Sequence, residues 1–264
     1  MLTTISIYLV LGGFVGVLAG IFGVGGGIIV VPVLLFSFRR MEMDESVLAH
    51  MAIATSHAAI IFTSASSSYV YNKSSNVKWD VVRNLAPGLL VGGLLIGPNV
   101  ADILSTSALQ LIFAFFMLLV AIKMWFGLKP KVEGGMPSIP VMAGVGCGIG
   151  TISSILGIGG GSLTVPYLSW KGIGIKTAVG SSVSAAIVIA ISSTIGYIYA
   201  GWGESGLPDE TVGYIYWPAL LGIVVTSMLF VRVGVKIAGL MDDKLQKRLF
   251  AILLIIVAVK MLWS

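Results

Sequence analysis

Apolar runs of roughly twenty residues, divided by short polar turns, fill almost the whole chain; that is the length a helix needs to cross the hydrocarbon core of a bilayer. The pattern predicts apolar helices over residues 2–22, 46–71, 81–100, 104–128, 139–156, 175–200, 213–231 and 243–264. Two further apolar stretches, residues 28–38 and 163–170, are too short to cross unaided. Each follows a dense glycine cluster. The first cluster sits in GIFGVGGGIIVVP (residues 20–32) and the second in SILGIGGGSLTVP (residues 154–166). Glycine costs about 1 kcal/mol relative to alanine in a helix interior, so each cluster should break its apolar segment in two.

The two clusters are copies. Gly157, Gly159, Gly160, Gly161 and Pro166 repeat the spacing of Gly23, Gly25, Gly26, Gly27 and Pro32. Further along, Ala178, Ser181, Ser182, Ser192, Ser193 and Tyr197 repeat Ala52, Thr55, Ser56, Ser66, Ser67 and Tyr71. Pro218 stands where the first half has Pro87. Phe250, Ala251, Ala258, Lys260 and Met261 repeat Phe113, Ala114, Ala121, Lys123 and Met124. The chain therefore divides into a first repeat (residues 1–128), a linker (129–138, KPKVEGGMPS) and a second repeat (139–264), all in one membrane domain.

Composition agrees: 57% of residues are hydrophobic and 10% charged, against roughly 25% charged in a soluble domain. The net charge of +5 does not point to nucleic acid, because the basic residues fall at predicted helix ends. The start of the chain has no basic n-region and is expected to belong to the mature protein. Cys147 is the single cysteine, which excludes an intrachain disulfide.

Basic residues also decide the topology. If each broken segment crossed once, the two sides would carry similar numbers of Lys and Arg. If each folds back at its glycines, Arg39, Arg40 and Lys260 fall on one side and the other thirteen of the sixteen on the opposite side. The positive-inside rule selects the second arrangement. The expected fold is an all-α integral membrane protein of two inverted repeats, each a broken, glycine-rich helical hairpin plus three transmembrane helices. Both termini are expected outside the cytoplasmic membrane, together with the acidic loop of Glu204, Asp209 and Glu210.

Inverted repeats with broken helices bring the breaks together near the bilayer midplane. There the N-termini of the short half-helices offer free N–H groups and the positive end of a helix dipole, which suits an anion. Candidate binding residues are therefore Gly23, Val24, Gly25, Gly26 and Gly27 with Gly157, Ile158, Gly159, Gly160 and Gly161. Thr55, Ser56, Ser181 and Ser182 align between the halves and offer hydroxyls, although such groups also bond to their own helix. His57, in an apolar helix, is a candidate anion ligand or proton carrier. Its counterpart is Val183. His50 is two turns away, too far to share a metal, so neither metal nor cofactor is expected.

The two glycine-to-proline motifs, the ATSH and GSSVS stretches (residues 54–57 and 180–184) and PGLLVGG (residues 87–93) resemble the sulfite exporter TauE/SafE family of membrane permeases over nearly the whole chain. The resemblance implies transport of small anions, typically sulfur-containing ones such as sulfite, sulfonates or sulfoacetate. It leaves export and uptake both open. GVGGG is not a nucleotide loop, since no Lys-Ser/Thr follows it and no strand precedes it. Converging acid, base or metal groups of an enzyme are missing from the pattern. The expected partners are a small anion and the lipid bilayer; proton coupling and a homo-oligomer stay open, as does an anion channel or a carboxylate permease.

Overall fold

The computed structural model describes residues 2–22, 26–126, 135–241 and 243–262. In the first half, α1 (Leu2–Phe22) and α2 (Gly27–Arg40) are followed by α3 (Leu48–Lys73). α4 (Trp79–Val91) then passes through a π turn (Gly92–Ile96) into α5 (Gly97–Asp102), and α6 (Thr106–Phe126) completes the half. The second half runs α7 (Ile139–Leu156), α8 (Gly161–Trp170), α9 (Ile175–Ala200), α10 (Trp217–Gly239) and α11 (Asp243–Leu262). Among the described residues the only sheet is a small antiparallel hairpin, β1 (Thr211–Val212) and β2 (Ile215–Tyr216), which leads into α10.

Six helical stretches among the described residues are long and apolar enough to cross a bilayer: Leu48–Lys73, Trp79–Asp102, Thr106–Lys123, Ile139–Leu156, Lys176–Ala200 and Trp217–Gly234. Five of them, in α3, α4–α5, α6, α9 and α10, are helices expected to cross; α7, the first arm of the second hairpin, is the sixth. α3 and α9 are the central pair, with 83% and 72% of their apolar windows buried, against 33% for α6 and α10. They are also the Ser/Thr-rich helices. In a membrane protein polar side chains turn toward the interior, away from lipid.

Packing follows one pattern in both halves. α1 lies against α10, and α7 against α4; α3 pairs with α9, and α6 with α11. Exchanging the halves carries this set of pairs into itself. Glycines make the closest approaches. A methyl group added at Gly16 would lie 2.6 Å from the Ser227 carbonyl oxygen, and one at Gly150 would lie 2.8 Å from that of Leu89. Gly12 and Gly222 bring α1 and α10 together; Gly88 and Gly146 do the same for α4 and α7. Small residues allow such contact where lipid supplies no hydrophobic drive between helices.

Cross-contacts also give the directions. Tyr8 meets Gly222 and Gly16 meets Ser227, so α1 and α10 run parallel; Leu85 meets Gly146 and Gly97 meets Ser154, so α4 and α7 do too. Between α3 and α9 the order reverses. His57 stacks on Tyr197 at 6.2 Å, Ser68 bonds Ser184 at 2.7 Å, and Tyr71 faces Gly180. Those two helices are antiparallel.

Both broken segments fold back. Ser37 Oγ donates to the Tyr8 hydroxyl at 3.1 Å, and that hydroxyl donates to Met41 Sδ at 3.2 Å, so early α1 lies beside the end of α2. In the second half, residues 171–174 join α8 to α9. α9 in turn begins beside the start of α4, where Ser181 Oγ accepts the Lys78 N–H at 2.9 Å. α7, parallel to α4, starts at that same end. α2 thus returns to one end of the molecule and α8 to the other.

Candidate functional site

The second glycine tip is built from two left-handed glycines. Gly157 (φ 64°) ends α7, and its N–H bonds the Ser154 carbonyl at 3.3 Å while the Ile158 N–H bonds that of Ser153 at 3.1 Å. This double bond is the Schellman closure of a helix, which needs a residue at positive φ and so favours glycine. Gly160 (φ 73°) then opens α8, its carbonyl taking the Leu163 and Thr164 N–H groups. In the first half Gly26 (φ 80°) opens α2 in the same way, accepting from Ile29 and Val30. Neither α2 nor α8 has a side-chain cap at its start. The first N–H groups of a helix have no partner within it. Gly23, Val24 and Gly25 lie outside the described residues.

The described parts of the two tips touch. A methyl at Gly27 would sit 2.6 Å from the Gly157 carbonyl oxygen and 2.9 Å from Ile158 Cα. Gly26, Gly27, Gly157, Ile158, Gly159 and Gly160 are all buried, and Gly161 is half-buried. Gly159 lies against Ala186 and Ile60, and Gly160 against Ile189 and Ser153, so the second tip rests on the α3–α9 pair.

Ser56 and His57 hold this tip. Ser56 Oγ donates to the Gly157 carbonyl at 2.8 Å. His57 Nε2 lies 3.1 Å from the Ser154 carbonyl oxygen, which accepts only, so Nε2 carries a proton and donates. Nδ1 is buried without a partner among the described residues. The Tyr197 hydroxyl donates to the same Ser154 carbonyl at 3.1 Å. Ser154 Oγ donates onward to the Gly93 carbonyl at 3.3 Å. The π turn explains that acceptor: the Gly97 N–H bonds Gly92, and Pro98 has no N–H to return.

Thr55 and Ser181 lie elsewhere. Thr55 Oγ1 accepts the Tyr216 N–H at 3.0 Å, at the start of α10, and Ser181 accepts that of Lys78 at the start of α4. They are equivalent positions with equivalent bonds, one near each end of the molecule. Ser182 is buried and its hydroxyl has no partner among the described residues; Ser64, Ser153 and Ser193 share that state. Tyr197, Ser153 and Gly93 are not among the candidates that the sequence singles out. The alignment of Tyr197 with Tyr71 is the available signal, whereas the carbonyl freed at Gly93 depends on a π turn that no local pattern announces.

No group of three or more His, Cys, Asp or Glu residues placed to hold a metal ion occurs among the described residues. Lys123 Nζ lies over the Trp170 ring at 5.6 Å, and Lys260 Nζ over the Phe36 ring at 3.9 Å. These aligned lysines each reach the short helix of the opposite half.

Comparison with known proteins agrees on the class. A "Probable membrane transporter protein" of Haemophilus influenzae is 37% identical, over 99% of both chains. A "Probable membrane transporter protein MJ0441" of Methanocaldococcus jannaschii is 26% identical over 89% of this chain and 87% of the relative. "Probable membrane transporter protein YunE" of Bacillus subtilis is 25% identical over 98% and 97%. No solved structure matches the chain. The family model for the sulfite exporter TauE/SafE matches residues 8–261, and with two touching glycine tips inside a bundle of membrane-length helices, this multi-pass membrane protein belongs to that family.

Proposed function

We propose that the protein is a secondary or facilitated transporter of small sulfur-containing anions, of the sulfite, sulfonate or sulfoacetate type, that moves its substrate by alternating access around the glycine tips. The observation that carries this reading is the pair of half-helices, α2 and α8, which begin at left-handed Gly26 and Gly160 without side-chain caps, at the buried contact between the two halves. Uncapped helix starts present N–H donors and positive partial charge to an anion without the cost of a buried cation. Buried hydroxyls without partners among the described residues, Ser153 beside Gly160 and Ser193 beside Gly93, add donors around the second tip.

Alternating access rests on reading the halves as inverted repeats. The antiparallel α3–α9 pair, the exchange-invariant helix contacts and the return of α2 and α8 to opposite ends support it. Rocking one repeat against the other then opens a central site to each side in turn. The substrate class draws on the description of the family and on the suitability of helix N-termini for oxyanions.

The test is binding followed by flux. Thermal unfolding of the purified protein is followed across sulfite, thiosulfate, sulfoacetate, taurine, sulfate, acetate and chloride, since a ligand of the folded state raises apparent stability. A selective shift with sulfur oxyanions is expected, together with saturable counterflow of the same anion in proteoliposomes. Gly160→Val, which places a branched side chain at positive φ against Ile189, should abolish both. A shift with acetate alone would replace the substrate class, and non-saturable flux without counterflow would make the protein a channel.

A further inference from the structure

A groove of about 340 Å³ lies away from the tips, between α1, α2, α6 and α11. Its walls are apolar, formed by Leu11, Val33, Leu35, Ile256, Val257 and Met261. One end is cationic: Arg39, Arg40 and Lys260 all line it. Arg39 is paired with Glu45 at 2.7 Å, whereas Arg40 and Lys260 make no ion pair among the described residues. Instead both approach Phe36, Lys260 Nζ at 3.9 Å and Arg40 Cζ at 5.2 Å from the ring centroid. Two like charges gathered on one ring repel, and an anion between them removes the repulsion.

Gln110 sharpens this picture. It lines the groove, is only 9% exposed, and has no hydrogen-bond partner among the described residues. Its amide atoms stay accessible from the groove, so they can bond a group that enters it. The equivalent place at the other end of the molecule keeps the lysine over an aromatic ring, Lys123 over Trp170, but has Ile173 and Gly174 where the first half has Arg39 and Arg40. The double-arginine end belongs to one half only, so the repeat architecture does not account for it.

We infer that this groove holds an anionic phospholipid, its phosphate between Arg40 and Lys260, the Gln110 amide donating to the headgroup, and one acyl chain along the apolar wall. A small free anion would leave that wall uncovered, and a neutral lipid would leave the two cations unpaired. Phe36 is 48% exposed, so the groove opens at the lateral surface where lipid arrives.

Native mass spectrometry and thermal unfolding of the purified full-length protein test this site with three probes: phosphatidylglycerol, phosphatidylcholine and inorganic phosphate. Phosphatidylglycerol should be retained and should stabilise, while the other two should not. The double variant Arg40→Gln, Lys260→Gln should bind phosphatidylglycerol about 30-fold more weakly, from about 1 kcal/mol per cation near a membrane surface. Gln110→Leu, which keeps both cations, should also weaken retention, and Lys260→Gln alone serves if the double variant does not fold. Equal retention of both phospholipids would reduce the groove to general lipid contact, and equal stabilisation by inorganic phosphate would make it a free-anion site. Either result overturns the proposal, as does unchanged phosphatidylglycerol binding in the variants.

Discussion

At the residue scale, the Ser154 carbonyl is where the second tip is fixed. It takes hydrogen bonds from Gly157, His57 and Tyr197 at the free C-terminal end of α7, where carbonyls lack helical partners. Tyr197→Phe removes one donor and should lower stability by about 1 kcal/mol, measured by thermal unfolding in detergent. His57 separates two roles that its position leaves joined. Its Nε2–H positions the tip, a job that a glutamine amide also performs. A proton carrier must titrate, which glutamine does not. Positioning alone predicts that His57→Gln keeps flux and its pH dependence, while His57→Leu loses folded protein; a flux that loses its pH dependence in His57→Gln would assign the proton to this residue. Sequence brings His57 forward as an ionisable group in an apolar helix, and Ser56 with Ser182, Thr55 and Ser181 as hydroxyls that align between the halves. Thr55 and Ser181 look like Ser56 in one dimension. Their partners, the Tyr216 and Lys78 N–H groups, come from remote helix starts and are visible only in three dimensions.

At the element scale, glycine does two different jobs, and the chain shows both in α7. Gly144 and Gly148 face open space, with no atom within 4 Å of an added methyl, whereas Gly146 and Gly150 lie against the backbone of α4 at Leu85 and Leu89. Leucine at Gly148 should therefore leave the folded yield on size-exclusion chromatography unchanged, and leucine at Gly150 should collapse it. The contrast within one helix removes propensity and hydrophobicity as explanations, since both variants change the same residue type in the same way. The broken helices themselves were legible, because runs of glycine before a short apolar segment have few other physical meanings. The π turn at Gly92–Ile96 was not. It joins Gly97 to Gly92 and leaves the Gly93 carbonyl to Ser154, a residue of the other half.

At the scale of the whole molecule, sidedness follows from which elements end together. The end that holds the start of α1, the end of α2, the acidic 201–210 turn and Lys260 also contains the larger cavity, about 540 Å³, lined by Glu42, Asp44 and Glu210. Lys73, Lys78, Arg83, Lys171 and Lys176 belong to the opposite end, at the end of α3 and the starts of α4 and α9. Hairpins that return to opposite ends produce this distribution, whereas singly crossing broken segments would have mixed the charges. On the positive-inside rule we propose that the acidic end lies outside. Cysteine labelling in intact cells checks it against a background in which Cys147, packed beside Gly88 and Gly92, becomes alanine. A cysteine at Gly203, a turn position with open space around it, should react with a membrane-impermeant maleimide. One at Ser74, an exposed residue just past α3, should react only after permeabilisation. The reverse pattern would invert the molecule in the membrane while leaving its fold intact. Reaction at both positions in intact cells would remove the sidedness itself, and with it the charge argument that selected the hairpins.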